Sequence, residues 1–221
     1  MSFQRKEDWT GRQVIQIGEG SWYPVNMKTN MTYTCTVNTP LGKMTAAAVQ
    51  NELSGLWFIG QKYYPAVTSA WTENPEYPVF ETLRRRLDFY FSGQEGQAWE
   101  EEQAASTERN AKGIMAGISV PKMDLCLVPV GTDFQKTVWE ILLQIPYGKV
   151  ITYGEIAQRI ALVRGLTTMS AQAVGSAVGH NPISILIPCH RVIGGNGKLT
   201  GYAGGLDKKK ALLRLEGRFF A

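Results

Sequence analysis

The chain has 221 residues, of which 44% are hydrophobic and 19% are charged, and its net charge is +4. Such a chain can bury its own core, as one large domain or two smaller ones. The three cysteines, Cys35, Cys126 and Cys189, are far apart and lack Cys-x-x-Cys spacing, which argues against a disulfide framework or a structural zinc site. The N-terminus holds no apolar signal segment, and no apolar run is long enough to cross a bilayer. We therefore expect a protein of the cytoplasm, or of the nucleus in a eukaryote, without a membrane partner.

Positive charge is concentrated in the C-terminal part of the chain. Residues 1–130 contain 12 Lys and Arg against 14 Asp and Glu, whereas residues 131–221 contain 11 against 5. A basic excess in one half is typical of proteins that bind a polyanion, although a basic surface that only faces water is also common. Charge alone therefore favours a nucleic-acid partner slightly.

The N-terminal part predicts a small domain of strands followed by a helix. Residues 1–30 show no clear period and receive no assignment. Short apolar runs separated by turn residues predict strands at residues 31–39, 44–49 and 53–59, with a turn at 40–42. Val79, Leu83 and Leu87 then recur at helical spacing. Residues 94–120 are interpreted as a polar insertion, a further strand is expected at 125–130, and the domain boundary is placed at Gly131.

Two helices are predicted early in the C-terminal part. Thr132 or Asp133 can cap the first helix, which Pro146 stops. Thr152 and Glu155 match a capping box, in which the hydroxyl and the carboxylate satisfy free amides at the start of a helix. This second helix is expected to continue through residue 160.

A third helix is predicted at residues 171–179, with Ser170 as its cap. Two short helices joined by the connector 161–169 resemble a helix-turn-helix, although the connector is longer than in the tight form. The third helix has the sequence Ala-Gln-Ala-Val-Gly-Ser-Ala-Val-Gly, which contains almost nothing bulky. Its backbone can therefore approach another surface closely, and that surface is either the protein's own core or a groove of DNA.

Cys189 and His190 are adjacent, after an apolar run that predicts a strand. A cysteine reacts as its thiolate. With an ordinary thiol pKa, little thiolate is present at neutral pH, so a neighbouring base that removes the proton activates the cysteine. Consecutive residues of an extended strand point to opposite faces, so the pair can cooperate only if the chain turns there or a water bridges the two side chains. The alternative is an inert buried cysteine beside an unrelated histidine.

Glu216 stands at the end of a helix predicted at residues 207–216, where the helix dipole disfavours an anion. A carboxylate in that position is explained by a partner such as a histidine, or by simple exposure to water. Residues 194–205 contain six glycines, enough to let the backbone approach a flat ligand, and they match neither a dinucleotide fingerprint nor a phosphate loop. Hairpin turns are the alternative explanation for these glycines.

The motif Ile-Pro-Cys-His-Arg-Val at residues 187–192 closely resembles that of the O6-alkylguanine-DNA alkyltransferases, also called methylated-DNA–protein-cysteine methyltransferases. The resemblance covers nearly all of residues 131–221. It also rests on the motifs at residues 134–135, 145–148, 152–154, 181–182, 201–205 and 212–217. Residues 31–91 are similar to the family's N-terminal domain but far less diagnostic, and residues 1–30 and 94–120 look like additions.

The resemblance implies an α+β fold of two domains. The N-terminal domain, residues 31–130 with its insertion, would be a small ribonuclease H-like sheet with a helix. The C-terminal domain, residues 131–221, would be mostly helical, resemble a winged helix-turn-helix, and hold the active site.

The resemblance also implies the roles of five catalytic residues. Cys189 would attack the alkyl carbon on O6 of guanine as a thiolate. His190 would take the thiol proton through a water, and Glu216 would orient the imidazole and share its positive charge. Asn181 would hold the turn that presents Cys189. Tyr153 would donate a proton to the base, so that guanine leaves neutral.

Five further residues would form the substrate pocket. Tyr202 would be one wall, backbone amides around Ala203 and Gly204 would read the edge of guanine, and a carbonyl near Val192 would do the same. Ala203 stands where some members have a serine, so a hydroxyl contact to O6 is absent. Val178 and Ala203 suggest generous room for the alkyl group.

The helix at residues 171–179 would enter the minor groove of duplex DNA and flip the damaged nucleotide out of the stack. One departure from the family is Gln172, which stands where an arginine usually fills the gap left by the base. The basic Arg164 in the connector is a candidate to compensate. The predicted DNA contacts are Ser170, Ala171, Gln172, Gly175 and Arg164.

The expected product is an S-alkyl thioether that water does not readily cleave. We therefore expect a monomer that acts once per molecule, with no cofactor and no metal, on O6-alkylguanine and as a further candidate O4-alkylthymine. A lesion sensor on the same scaffold is one alternative, although such sensors lack the reactive cysteine. A cysteine hydrolase acting on an acyl substrate is another, and it would turn over repeatedly.

Overall fold

The structure is a computed structural model that describes residues 31–66, 70–94 and 125–218, together with strands at residues 5–7, 13–16, 22–24 and 118–119. The chain forms two compact units, Met1–Met31 and Thr32–Ala221. The first unit contains an antiparallel sheet in which β2 (Gln13–Gln16) lies between β1 (Arg5–Glu7) and β3 (Trp22–Pro24). Its sequence carries no clear alternating period, so these strands were not predicted.

The second unit contains a six-stranded sheet among its described residues. Its strands are β4 (Thr32–Thr39), β5 (Gly42–Val49), β6 (Glu52–Phe58), β7 (Trp71–Glu73), β8 (Ile118–Ser119) and β9 (Cys126–Leu127), in the order β7-β4-β5-β6-β9-β8. The three predicted strands are confirmed, and β4 and β5 form a hairpin around Pro40 and Leu41. Gly42 follows this turn with φ +115°, a conformation that glycine adopts without strain. The strand expected at 125–130 shrinks to Cys126–Leu127.

Helix α1 (Pro78–Phe91) covers the sheet with an apolar face. Val79, Phe80, Leu83 and Leu87 are all at most 3% exposed and belong to the same core as Met44 and Leu56 of the sheet. Tyr90 lies on this buried face as well, which brings its hydroxyl into the interior. The helix therefore covers the sheet and also brings the Tyr90 hydroxyl into the core.

Four helices follow in the C-terminal part of the described chain: α2 (Asp133–Leu143), α3 (Tyr153–Val163), α4 (Ala171–Gly179) and α5 (Leu206–Leu215). All four were predicted, with end points that differ by one to three residues for α2, α3 and α5. Thr132 with Gln135 and Thr152 with Glu155 form complete capping boxes, and Ser170 accepts the amide of Ala173. The mixed α+β class is thus confirmed.

The segment before Cys189 is not the strand that its apolar run predicts. Ile183 makes one isolated bridge to Leu56 of β6, and the chain then turns. Ile185 has φ +72°, which is unfavourable for a β-branched residue and persists here inside a packed core. The regular pairing in this region is instead a short parallel pair of β10 (Ile151–Thr152) with β11 (Val192–Ile193).

The proposed boundary at Gly131 and the division into residues 31–130 and 131–221 stay predictions, because residues 32–221 form one compact unit. Within the described parts of the chain, every helix is too short or too polar to span a bilayer.

Candidate active site

Cys189 begins a single 3-10 turn, Cys189–Arg191, directly after Pro188. This turn takes Cys189 and His190 out of the extended geometry that would separate their side chains. Cys189 is 4% exposed, and its remaining surface lines a cavity. Cys189 is therefore buried and forms part of the wall of a cavity.

Asn181, two residues after α4, holds the cysteine by its side-chain amide. Its Nδ2 donates to the sulfur of Cys189 at 3.0 Å and to the carbonyl of Ile187 at 2.8 Å. Its Oδ1 accepts the amide of Ile183 at 3.0 Å. One side chain thus joins Ile183, Ile187 and the sulfur of Cys189, and the role of Asn181 in presenting the cysteine stays a prediction.

His190 and Glu216 form a buried pair. Nε2 of His190 lies 2.7 Å from Oε1 of Glu216, and the two side chains are fully buried. Because a carboxylate only accepts hydrogen bonds, Nε2 carries the proton and Nδ1 is the acceptor of the neutral ring. Nδ1 is buried without a hydrogen-bond partner, so it is available to take a proton.

Arg191 and Tyr90 extend this pair, and the sequence predicted neither. Nε and Nη2 of Arg191 each donate to the Glu216 carboxylate at 2.9 Å, and Nη1 donates to the carbonyl of Ile145 at 2.7 Å. The hydroxyl of Tyr90 donates to Oε1 of Glu216 at 2.8 Å and lies 3.3 Å from Nε2 of His190. An arginine within an apolar run indicates a buried ion pair, so the sequence contained a signal for the contact of Arg191 with a carboxylate. No comparable signal around Tyr90 predicts its hydrogen bond to Glu216.

The turn that stops α2 also reaches the carboxylate. The amide of Gly148 donates to Oε2 of Glu216 at 3.1 Å. Gly148 has φ +68°, and a Cβ there would lie 2.9 Å from the carbonyl oxygen of Glu216, so only glycine fits. Residues 145–148 therefore follow the end of α2 and also supply a backbone donor to the Glu216 carboxylate.

Burial and charge set the protonation states of the site. Burial raises the pKa of the Cys189 thiol. The hydrogen bond from the Asn181 amide and the positive charge of Lys209 partly oppose this rise, because both favour the thiolate. Burial also lowers the pKa of His190, although Glu216 opposes this shift. For Glu216, burial alone would raise the pKa, but hydrogen bonds from His190 and Arg191 and the positive charge of Arg191 outweigh it and hold the pKa well below its usual range. The resting state is therefore a thiol, a neutral imidazole and a carboxylate.

Lys209 on α5 is a second buried cation that the sequence did not predict as functional. Its Nζ donates to the carbonyls of Val192, Thr200 and Gly201 at 2.5, 2.6 and 3.0 Å. Burial lowers its pKa to about 8. Lys209 lies three and four positions before Leu212 and Leu213, on the same helix face, and this spacing could have predicted that Lys209 is buried. Lys209 ties the glycine-rich segment to β11.

A cavity of about 220 Å³ opens above the cysteine. Of the predicted pocket residues, Val178, Tyr202 and Ala203 line it, together with Tyr153 and Gly175. The hydroxyl of Tyr153 donates to the carbonyl of Thr200 at 3.2 Å, and burial raises its pKa.

Two predicted pocket residues do not line this cavity. Val192 is fully buried and its carbonyl accepts from Lys209. Gly204 packs against Phe58 and Tyr202, where a Cβ would lie 2.9 Å from each ring. Their roles towards the substrate stay predictions.

The predicted DNA contacts fall into two places. Ser170, Ala171 and Gln172 are exposed at the start of α4, and Gly175 lies between that surface and the cavity. Arg164 directly follows α3, donates to the hydroxyl of Thr137 at 3.2 Å, and lies over the ring of Phe134. Its guanidinium therefore contacts α2, and compensation for Gln172 by Arg164 stays a prediction.

Within residues 31–66, 70–94 and 125–218, no group of three or more His, Cys, Asp or Glu side chains could hold a metal ion. Fold and site together define an α+β protein with a buried cysteine that accepts a side-chain amide, a buried imidazole–carboxylate pair at the next residue, and an open cavity beside the cysteine.

Comparison with known proteins assigns the family. Residues 133–218 match the model for the DNA-binding domain of 6-O-methylguanine DNA methyltransferase. A methylated-DNA–protein-cysteine methyltransferase of Mycolicibacterium paratuberculosis is 40% identical over 83% of this chain and 91% of its own length. One of Methanosarcina acetivorans is 39% identical over 84% of this chain and 98% of its own length.

Solved structures agree. The crystal structure of Mycobacterium tuberculosis OGT in complex with DNA superposes with a TM-score of 0.65 at 39% identity, covering 84% of this chain and 93% of that one. The same organism's O6-methylguanine methyltransferase gives a TM-score of 0.63 at 39% identity, with the same coverage. The chain belongs to the methylated-DNA–protein-cysteine methyltransferase family.

Proposed function

We propose that this protein repairs alkylated DNA by moving the alkyl group from O6 of guanine to Cys189. One observation carries the proposal: the buried cysteine accepts a hydrogen bond from Asn181, is followed directly by the His190 of the His190–Glu216 pair, and lines a cavity. Relatives that bear the name of this reaction, at about 40% identity over most of both chains, support the same chemistry.

The transfer is a displacement at a saturated carbon. The bond between Sγ and the alkyl carbon forms as the bond between that carbon and O6 breaks, and a thiolate is a soft nucleophile suited to this carbon. The thiol proton moves through a water to Nδ1 of His190, and Glu216 holds the imidazolium that results. Tyr153 donates a proton to the base, so that guanine leaves neutral.

The sulfur remains a thiol until the substrate is in place. Because burial raises the pKa of Cys189, the thiolate is scarce at neutral pH in the free protein. His190 is a neutral base under the same conditions, because burial lowers its pKa. Deprotonation is therefore coupled to attack, and the buried cysteine is protected from other electrophiles.

DNA approaches through α3 and α4, which act as the helix pair of a winged helix-turn-helix, beside a ribonuclease H-like sheet domain. The small exposed residues of α4 let its backbone enter the minor groove. Because Cys189 is only 4% exposed, its sulfur cannot reach a base inside a duplex, so the nucleotide rotates out of the stack into the cavity. Gln172 then hydrogen-bonds the unpaired partner base without adding charge.

The reaction occurs once per molecule. The product is a thioether, which has no acyl carbon for an activated water to attack, so the sulfur is not regenerated. The protein acts as a monomer, and its partner is duplex DNA that carries O6-alkylguanine.

Intact mass after incubation with a duplex that carries O6-methylguanine tests the proposal. We expect one methyl group per protein molecule, located on Cys189, and no second turnover with excess substrate. Cys189→Ala should take up no methyl group and still bind the duplex. Transfer by the Cys189→Ala variant, or unmodified wild-type protein, would contradict the proposal.

The same experiment distinguishes the alternative functions. A lesion sensor would bind the damaged duplex and show no mass change, and the presence of Cys189 argues against it. A cysteine hydrolase would release product repeatedly from an acyl ester and show no stable adduct.

A further inference from the structure

Tyr63, in the loop after β6, lines the same cavity as Cys189 although it lies in the N-terminal part of the chain. Its ring stacks on His180, which directly follows α4, with 3.8 Å between the ring centroids. Its Cε2 atom lies 3.6 Å from the position that a Cβ on Gly179 would take. The ring therefore stands against the C-terminal end of α4, at the side of the cavity formed by that helix.

The backbone of Tyr63 adopts a conformation that is uncommon for its residue type. Its φ is +60°, in the left-handed region, where residues other than glycine are infrequent. Such conformations persist where the surroundings enforce them, and they concentrate at functional sites. Forty-five per cent of the residue is nevertheless exposed, so burial of its own side chain does not explain the conformation.

Hydrogen bonds made by the residues on either side of Tyr63 hold the loop in this conformation. The amide of Lys62 donates to the carbonyl of Ala203 at 2.9 Å, which joins the loop to the glycine-rich segment on the other side of the cavity. Oε1 of the buried Gln61 accepts the amide of Phe58 at 2.9 Å, and the hydroxyl of Tyr64 lies 2.7 Å from Oγ1 of Thr45. The loop is thus anchored on both sides of Tyr63, and the ring is held at the cavity.

We propose that Tyr63 is a specificity-determining residue: its ring, fixed against His180 and Gly179, limits the size of the alkylated base that reaches Cys189. The inference rests on the proposed function. A cavity of about 220 Å³ leaves little spare room, so one aromatic ring in its wall decides whether a bulky substituent fits.

The test compares single-turnover transfer from O6-methylguanine and O6-benzylguanine placed in the same duplex. Tyr63→Asn removes the ring while keeping a residue that tolerates the left-handed conformation, and Tyr63→Phe keeps the ring. We expect Tyr63→Asn to raise the ratio of benzyl to methyl transfer about tenfold, within the range that pocket contacts supply. Tyr63→Phe should keep the wild-type ratio.

Ile59→Ala is the matched control, because it truncates an exposed side chain of the same loop that is not among the cavity-lining residues and is not one of the anchors described above. An unchanged ratio in Tyr63→Asn, or an equal shift in Ile59→Ala, would overturn the inference. If Tyr63→Asn does not fold, Tyr63→Gly carries the same expectation. Wild-type protein that transfers neither group would instead contradict the proposed function, which separates the two failures.

Discussion

On one side of Cys189, Asn181, His190 and Glu216 are at most 5% exposed, and every one of them makes a short hydrogen bond within the cluster. On the other side, Tyr153, Gly175 and Tyr202 line an open cavity and keep part of their surface. The buried side can control charge, because Coulomb interactions are strong where water is excluded. The open side can admit a base, because it surrounds a cavity of about 220 Å³. We refer to these as the relay side and the cavity side.

The relay side should respond most strongly to a single substitution. Glu216→Gln leaves the Arg191 guanidinium buried without a counter-charge, so we expect a loss of about 3–5 kcal/mol in the free energy of unfolding. Transfer should fall about 10²–10⁴-fold, because His190 loses the carboxylate that stabilises its protonated form. Urea unfolding and single-turnover mass measurements check both effects.

The double variant Glu216→Gln, Arg191→Met is the control for buried charge. It removes both members of the ion pair, so it should recover part of the lost stability and none of the lost transfer. A single variant that loses less than about 1 kcal/mol would mean that this pair behaves like one at the surface, and the contrast between the two sides would disappear.

Acid should weaken the relay side in a defined pH window. The pKa of Glu216 is held well below its unfolded value of about 4.5. As pH falls below that value, the unfolded chain binds a proton that the native chain does not, so stability present at neutral pH is lost progressively. The difference in unfolding free energy between wild type and Glu216→Gln should therefore shrink below about pH 4.5. A difference that stays constant to about pH 3 would exclude this assignment.

A substitution on the cavity side should alter rate with little effect on stability. Tyr153→Phe removes the hydroxyl that we propose protonates the leaving guanine, so transfer should slow about tenfold or more. Its hydrogen bond to the Thr200 carbonyl is worth only about 1 kcal/mol to the fold. Tyr77→Phe loses a hydroxyl that accepts the Asn51 amide at 2.9 Å, away from the cavity, and should transfer at the wild-type rate. Equal slowing of both variants would argue against a proton donor at Tyr153.

The smallest effect is expected on the outer surface of α4. Gln172→Arg adds one cation at the proposed minor-groove helix, so duplex affinity should rise and the slope of log K against log salt should steepen by about one. Arg164→Ala tests whether Arg164 supplies the missing charge. If affinity and repair rate are unchanged in Arg164→Ala, compensation is wrong, and the contact of Arg164 with Thr137 and Phe134 is its whole role.

The starts of three helices could be predicted from the sequence because the residues that cap them are close together in the chain. The capping boxes at Thr132 and Thr152 join residues three apart, and the cap at Ser170 does the same, so the starts of α2, α3 and α4 were predicted correctly. The strand expected before Cys189 was wrong, because apolarity marks burial and does not distinguish a strand from a packed turn. There the turn of the chain, with Ile185 at φ +72°, is imposed by tertiary packing.

The sequence by itself determined the helix starts, the small-residue helix α4 and the adjacency of Cys189 and His190, because each depends on neighbours within a few positions. Only the tertiary structure decided which groups meet at Glu216. Tyr90 reaches it from 126 positions away and Gly148 from 68, and Arg191 shares its carboxylate with His190. The physical reason is that a buried carboxylate requires several donors at once, and folding supplies them from whichever segments the core brings together.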